Sequence, residues 1–232
     1  LQSIFAPIVA TLIYLFIFSH ILEERAQAYP GVTYTAFLIP GLLMMAMLQN
    51  SFANSSSSLI QSKISGSIVF VLLSPLSYME VFVAYVLASI VRGFLVGAGI
   101  YLVILIFFDM PLQSLSWIFI FALIGNGFLG VLGVIAAIWA EKFDQLAAFQ
   151  NFVILPLTFL SGVFYTIHSL PPFWESISRF NPFFYVIDGF RYGFFGISDV
   201  SPYFSLMIVG IGFLAVSWVT LRMLKIGYKL RQ

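Results

Sequence analysis

The chain has 232 residues, 61% of them hydrophobic and only 8% charged, with a formal net charge of +1. Because an ordinary soluble domain carries about a quarter charged residues, this composition indicates a polytopic membrane protein. The basic residues are too few to form a stripe along a nucleic-acid backbone, and the absence of Cys excludes disulfides, thiolate nucleophiles and Cys-based metal sites.

Apolar runs along the chain predict six transmembrane helices, which is about the number that this length allows at about 20 residues each. No room is left for a separate soluble catalytic domain. The third run is longer than a hydrocarbon core of about 30 Å requires, so its helix should protrude. The six predicted spans cover residues 4–21, 34–53, 81–108, 115–139, 147–165 and 202–221.

Proline and glycine mark the expected irregularities and close contacts of these spans. Pro40–Gly41 predicts a kink in the second span, and Pro156 interrupts the fifth. Glycines at close helical spacing should let neighbouring helices approach each other. They are Gly93 and Gly97 in the third span, and Gly125, Gly130 and Gly133 in the fourth.

The segment between the second and third spans is too polar for lipid. It contains NSSSSLIQSKISGS from residue 54 to residue 67, which predicts a loop or an interfacial helix. We assign residues 55–77 to a cytoplasmic region. Glu80 follows at the start of the third span, where its carboxylate either caps the helix N-terminus or pairs with a basic group on a partner protein.

The segment from residue 166 to residue 201 is unusually long for a structureless loop, so it should contain helices. A cap at Ser169, a first turn at Pro171–Pro172 and the acidic Glu175 predict one short helix. Asn181–Pro182 should end it before a second, aromatic helix begins. Two alternatives remain: helices that re-enter the outer leaflet, or an amphipathic hairpin on the membrane surface. The surface anchors would be Trp174, Tyr185 and Tyr192.

Three charged residues within apolar surroundings carry further hypotheses. Asp188 and Arg191 are three residues apart and share one face of a helix, so we hypothesise that they pair in a buried site. Arg92 lies inside the third span. We expect its side chain to snorkel to an interface, and a buried substrate contact is the alternative.

The distribution of Lys and Arg in the flanks predicts the orientation of the chain. More basic residues fall on one side than on the other, and the richer side is therefore cytoplasmic. With six spans, both termini lie in the cytoplasm. The cytoplasmic group is Lys63, Arg92, Lys142, Arg222, Lys225, Lys229 and Arg231, and the opposite group is Arg25, Arg179 and Arg191.

A pattern of residues runs from the fifth predicted span into the segment that follows it. Its positions are Ile154, Leu157, Leu160, Ser161, Gly162, Val163, Leu170, Pro171, Pro182, Phe183, Tyr185 and Arg191. Together with SPLSYMEVF at residues 74–82, this pattern resembles the signature of ABC-2 type permeases, the membrane subunits of bacterial ATP-driven exporters. The likeness extends over essentially the whole chain.

The resemblance implies an all-α membrane protein with six transmembrane helices and a re-entrant helical hairpin between helices 5 and 6. It also implies a bacterial inner-membrane location, a second copy of the chain, and two ABC ATPase subunits. ATP and Mg would bind to those subunits, with no cofactor on this chain. The family usually has an amphipathic helix before the first span. Since this chain starts at Leu1 inside an apolar run, we expect an N-terminal truncation rather than a signal peptide.

Two sets of site residues follow from the resemblance. One set should couple the chain to the ATPase, and the other should form the re-entrant exit gate. The coupling residues are Gln61, Ser62, Lys63, Ile64, Ser65, Gly66 and Glu80. The gate residues are Pro171, Pro182, Tyr185, Asp188 and Arg191.

The leading hypothesis is a permease that forms the translocation pathway of an ATP-driven exporter for a drug, a lipid or a lipid-linked glycan. The alternative is an ion-coupled secondary transporter, which normally needs Asp, Glu or His near the bilayer midplane, and the predicted spans lack such a residue. The chain has no phosphate-binding G-x-x-x-x-G-K-[ST] loop, and His20 and His168 are too isolated to bind a metal. We expect membrane lipids, and no nucleic acid, as partners. The pathway is assigned to facing copies of spans two and five, with Met44, Met45, Met47, Gln49, Asn50, Asn151, Phe152 and Phe159 as its lining.

Overall fold

The computed structural model describes residues 2–22 and 29–229, and its side chains over residues 5–18, 29–71 and 73–229. Regular structure in these ranges is helical, apart from one isolated bridge between Tyr29 and Val32. Arg25 and Arg231, which we used to predict orientation, and the side chain of His20 lie outside the described parts. The α-helices are α1 Gln2–Leu22, α2 Tyr34–Ile64, α3 Ile68–Leu73, α4 Tyr78–Phe107, α5 Leu115–Trp139, α6 Phe143–Phe149, α7 Leu155–Phe159, α8 Pro172–Phe180, α9 Pro182–Phe195 and α10 Pro202–Ile226.

Four helices of the described chain, α2, α4, α5 and α10, are long and apolar enough to cross a membrane. In α1 the apolar part among the described side chains is shorter, from Phe5 to Phe18. The prediction of an all-α, multi-span protein is therefore confirmed. The count of six spans stays a prediction.

Helix α2 continues well past residue 53, where its predicted span ends. It runs for 31 residues to Ile64, so most of the segment predicted as a loop or interfacial helix belongs to it. Serine hydroxyls inside this stretch donate to carbonyls of the preceding turn, as Ser62 Oγ does to the Ser58 carbonyl at 3.0 Å. Such bonds satisfy the hydroxyls within the helix, so a serine-rich run does not have to leave it.

The core forms where α2, α4 and α5 meet, and α2 packs against α5 along most of its length. The Ser51 hydroxyl donates to Asn126 Oδ1 at 2.6 Å, which joins α2 to the middle of α5. The Ser55 hydroxyl donates to the Gly130 carbonyl at 2.7 Å. The predicted close approach at Gly133 is found, because a Cβ there would lie 2.6 Å from the Phe52 carbonyl oxygen. Small residues therefore bring the two backbones together, as in many membrane helix pairs.

The fifth predicted span is an irregular helix that begins at Phe143 and ends at Phe159, rather than extending from 147 to 165. Its middle, Gln150–Ile154, is π-helical and joins α6 to α7. Pro156 follows the π-turn and has no N–H to continue a regular ladder. The chain then turns at Gly162, whose φ of 74° is in the left-handed region that favours glycine.

The C-terminus of α5 marks one end of the bundle, which we call the basic end. Lys63 Nζ donates to the carbonyls of Ala137, Ile138 and Ala140 at 3.0, 2.9 and 2.6 Å. Lys229 Nζ donates to Glu141 Oε1 at 2.8 Å beside them. The hydrogen bond and charge of Lys229 lower the pKa of Glu141. The opposite end carries α8 and α9, and we call it the hairpin end.

Candidate functional site

The hairpin end is built around a sharp break between α8 and α9. Asn181 Oδ1 accepts a hydrogen bond from the Phe183 N–H at 3.0 Å, and its Nδ2 donates to the Leu157 carbonyl at 2.6 Å. Asn181 thus caps α9 and ties the hairpin to α7, so the predicted break is found. The predicted cap at Ser169 is wrong, because the Ser169 hydroxyl donates to the Thr166 carbonyl at 2.7 Å and α8 begins at Pro172.

The two hairpin helices have different surroundings. In α8 the side chains of Phe173, Trp174 and Phe180 are 68%, 45% and 90% exposed. In α9, by contrast, nearly every side chain is buried, and the Tyr185 hydroxyl donates to the Arg179 carbonyl at 2.7 Å. Helix α8 therefore has the apolar exposure of an interfacial helix, whereas α9 is part of the core. Of the other predicted gate residues, Pro171 is exposed and Pro182 is partly buried.

Arg191 is the largest fully buried side chain of the described core, at 1% exposure. Its Nη2 donates to the Gly162 carbonyl at 2.8 Å, and its guanidinium carbon lies 3.8 Å from the centre of the Phe37 ring. A guanidinium stacked on an aromatic face gains cation–π energy, which increases when water is excluded. Arg191 thus joins α9 to α2 and to the turn that follows α7.

Asp188 is completely buried and bonds to the backbone beyond α9. Its two carboxylate oxygens accept hydrogen bonds from the N–H groups of Asp199 and Val200 at 2.8 and 3.0 Å. The ion pairs between described residues are Glu175–Arg179 and Glu141–Lys229. The hypothesis of an Asp188–Arg191 ion pair is therefore wrong, because Asp188 bonds to the backbone of the loop before α10, whereas Arg191 donates to the turn after α7 and leaves its buried Nε without a partner.

A second aspartate, Asp199, extends this network and was not predicted from the sequence. Asp199 accepts from the Tyr29 hydroxyl at 2.9 Å and from the Ile167 N–H at 2.7 Å. It thereby joins the bridged turn before α2, the loop before α8 and the loop before α10. The sequence feature that could have indicated its role is the acidic side chain itself, in the otherwise uncharged segment before α10. We call the buried hydrogen-bond network of Asp188, Arg191 and Asp199 the lock. Among the described residues, no group of three or more His, Asp and Glu could hold a metal ion.

At the basic end, the predicted coupling residues surround the turn between α2 and α3. Gln61, Ile64, Ser65 and Gly66 are exposed, whereas Ser62 and Lys63 are partly buried. Helix α3 then presents Val69, Phe70 and Leu73, which are 50%, 78% and 79% exposed.

Glu80 acts as an N-terminal cap of α4. Its Oε2 accepts from the Ser77 N–H at 2.7 Å, while the Glu80 N–H donates to Ser77 Oγ at 3.2 Å. Of the two roles expected for this carboxylate, the structure forms the capping one.

The predicted pathway residues fall into three environments. Met44, Met45 and Met47 are buried in the core of α2, and Gln49 and Asn50 are partly buried. Met45, Gln49 and Asn50 line a cavity of about 250 Å³ between α1 and α2. On the irregular fifth helix Asn151, Phe152 and Phe159 are exposed. The structure brings part of the set together, and leaves the other part on an outer face of the chain.

Arg92 does not lie near an end of the bundle. Its neighbour Gly93 packs against Ser51 and Asn126, and Asn126 is 11 residues, or about 17 Å, from the start of α5. Arg92 therefore lies near mid-length of α5, and the expectation that its side chain snorkels to an interface stays a prediction. Its Nη1 donates to Asn54 Oδ1 at 3.2 Å.

Comparison with known proteins places this arrangement among transport permeases. The sequence model of a family described as ABC-2 type transporter matches residues 1–195. The "Inner membrane transport permease YadH" of Escherichia coli (strain K12) is 34% identical over 222 residues, covering 94% of this chain and 86% of that protein. "Nodulation protein J" of Rhizobium leguminosarum bv. trifolii is 28% identical over 193 residues, covering 82% and 73% of the two chains.

Proposed function

Because the chain belongs to the ABC-2 type transporter family, we propose that it is the pathway-forming permease subunit of an ATP-driven exporter, working as a dimer with two separate ATPase subunits. The chain is a multi-pass membrane protein, and its relatives are named as transport permeases of the inner membrane or as a nodulation protein. ATP and Mg bind on the partner ATPase in this proposal, and this chain contributes no cofactor.

The observation that carries the proposal is the exposed apolar helix α3 at the basic end. A short helix follows the long polar extension of α2. It exposes Val69, Phe70 and Leu73, while Ile68 and Val71 pack against the core. Exposed apolar side chains on a short segment rimmed by polar residues are typical of a protein–protein contact. We assign α3 and the turn before it to the contact with the ATPase.

In the proposed topology α1, α2, α4, α5, the α6–α7 helix and α10 are the six spans. The basic end faces the cytoplasm, since Lys63, Lys142 and Lys229 gather there, and both termini are cytoplasmic. Helices α8 and α9 form the re-entrant hairpin between the fifth and sixth spans, at the exit side. The location is the inner membrane of a bacterium, as for the relatives whose names state it.

For the substrate we propose a drug, a lipid or a lipid-linked glycan. The exposed Phe152 and Phe159 supply an apolar outer face, and the partly buried Gln49 and Asn50 supply amides in the separate cavity between α1 and α2, and both features suit an amphiphile. The π-helical segment that contains Phe152 supports a functional role for this outer face, because π-turns are frequent at functional sites.

The first experiment is to purify the full-length protein from its own membranes in mild detergent and identify the chains that accompany it. We expect a stoichiometric soluble subunit with a phosphate-binding loop. Phe70→Ser should lower its recovery about tenfold, whereas Phe180→Ser, an exposed phenylalanine at the opposite end, should not. If the chain purifies alone and transport follows an ion gradient, the secondary-transporter alternative replaces this proposal.

A second prediction concerns Lys63, which we assign as a positioning residue between the coupling turn and α5. Lys63→Met leaves three carbonyls at the C-terminus of α5 without their shared donor. We expect the ATPase to bind normally but transport per ATP hydrolysed to fall severalfold, with partial rescue by Lys63→Arg. The matched control is Lys142→Met, an exposed lysine at the same end. Equal transport ratios for the two Met variants would contradict this role.

A further inference from the structure

An apolar cavity of about 230 Å³ lies between α4 and α5 in the half of the bundle nearest the hairpin end. Tyr101 of α4 and Ile118 of α5 form its sides, and Phe190 and Phe194 of α9 form its base. A cavity of about 150 Å³ in a protein core is large enough to hold benzene. This one therefore has room for a ring or for several methylene groups of a chain.

The mouth of the cavity opens on a surface that faces lipid in the proposed topology. Ala98 and Leu115 at the mouth are exposed, and the neighbouring Leu102 and Ile106 of α4 are 64% and 74% exposed. Inside a bilayer the surrounding solvent is acyl chain, so hydrocarbon rather than water reaches this opening.

Tyr101 supplies the single polar group that distinguishes this cavity from a plain apolar gap. Its hydroxyl is buried and has no hydrogen-bond partner in the described part of the chain. A buried tyrosine hydroxyl normally finds a partner, because an unsatisfied one costs free energy. The ring contacts Phe194 edge-on, with centroids 6.2 Å apart. The hydroxyl is enclosed in this conformation, so the ring has to turn toward the cavity to meet an acceptor.

The position of Tyr101 suits the glycerol region of a lipid. It lies six residues before the end of α4 at Phe107, or about 9 Å along the helix. A lipid whose head group is level with the end of α4 would carry its ester carbonyls toward this depth and its acyl chain deeper still. A carbonyl oxygen is the acceptor that a phenol hydroxyl lacks here.

We propose that the cavity binds one acyl chain of a membrane glycerolipid, with a lipid ester carbonyl accepting a hydrogen bond from Tyr101. The bound chain packs against Phe190 and Phe194, on the helix that carries Asp188 and Arg191. Lipid occupancy therefore holds α9 against α4 and α5. The site shares Met47 with the predicted pathway set but is separate from the exposed face of Phe152 and Phe159 that we assign to the substrate.

The first test is photolabelling of the full-length protein in nanodiscs of phosphatidylethanolamine with a diazirine in one acyl chain. We expect labelled peptides that contain Tyr101, Ile118 or Phe194. Ala98→Phe should fill the mouth and reduce this labelling about fivefold or more. Leu102→Phe adds a ring to the lipid-facing surface one turn away and should leave it unchanged. Labelling that survives Ala98→Phe at full strength overturns the proposal.

The second test isolates the hydroxyl. Binding of an ester-linked lipid and of its ether-linked analogue, which lacks the carbonyl, is compared by native mass spectrometry for the wild type and for Tyr101→Phe. One net hydrogen bond corresponds to a preference of about two- to tenfold for the ester lipid in the wild type. Tyr101→Phe should abolish that preference. An ester-to-ether ratio that is the same for both proteins excludes the tyrosine contact. Neither test depends on ATP or on a partner subunit.

Discussion

Gly133→Ala is expected to lower the free energy of unfolding by about 3 kcal/mol, at the upper end of the cost of overpacking a core. The added methyl group would meet the Ser55 hydroxyl oxygen and would lie 2.6 Å from the Phe52 carbonyl oxygen. A side chain can rotate away, but the α2 backbone can move only if the whole α2–α5 interface opens. That interface also contains the buried bonds from Ser51 and Ser55 to α5, which would be stretched.

Gly210→Ala is the matched control for this prediction. Gly210 is also inside a long apolar helix, and nothing lies within 4 Å of a Cβ built on it. Its substitution should leave stability unchanged or raise it by up to about 1 kcal/mol, through helix propensity. The measurement is the denaturation midpoint of each purified variant in the same detergent. Equal midpoints for the two variants would show that the close approach at Gly133 does not contribute to the stability of the protein.

The parts of the fold that sequence predicted well are those that the bilayer dictates. The run from Leu115 to Trp139 is uncharged and rich in glycine, and the helix α5 has the bounds that were predicted. An apolar segment in lipid must satisfy its backbone internally, so a long apolar run has almost no other conformation available. The glycines of α5 also indicated close helix contacts, since Gly133 faces α2 and Gly130 faces α4.

The extension of α2 beyond residue 53 could not be predicted in the same way. Serine and asparagine near residue 54 are unfavourable against lipid but favourable against the backbone of a close helix, and a single sequence does not say which neighbour they face. In the structure, the Ser55 hydroxyl donates to the Gly130 carbonyl, which is 75 residues away in the sequence. The depth of Arg92 likewise depends on the register of α4 against α5, which a single sequence does not give.

The lock at the hairpin end shows a different limit. The i, i+3 spacing brings Asp188 and Arg191 near enough for their charges to interact, and both side chains are buried. Their partners, however, are backbone groups at residues 199, 200 and 162, which have no side-chain signature. Local spacing predicts which groups share a helix face, but a buried polar group bonds to whatever the tertiary fold brings near it.

Arg191→Met should lower the free energy of unfolding by about 3–5 kcal/mol, as expected when one member of a buried charged group is removed. The substitution keeps an unbranched apolar chain but deletes the donor to the Gly162 carbonyl and the cation over Phe37. Although the two groups form no direct ion pair, the charge of Arg191 interacts with the buried Asp188 carboxylate, and the substitution removes that interaction too. Arg191→Lys should rescue little, because a compact ammonium cannot reproduce a planar, stacked fork. Thermal unfolding and proteolysis of the hairpin measure the effect.

Two further variants distinguish charge imbalance from simple loss of packing. Arg179→Met removes an exposed arginine, 47% of whose side chain is accessible, from a pair with Glu175, and such pairs are worth about 1 kcal/mol or less. Asp188→Asn combined with Arg191→Met removes both buried charges and should recover part of the stability lost in the single variant. A double variant that is less stable than Arg191→Met would mean that the backbone bonds of Asp188 to Asp199 and Val200 outweigh its uncompensated charge. Asp188 would then stabilise mainly the loop before α10, and Arg191 would independently join α9 to α2.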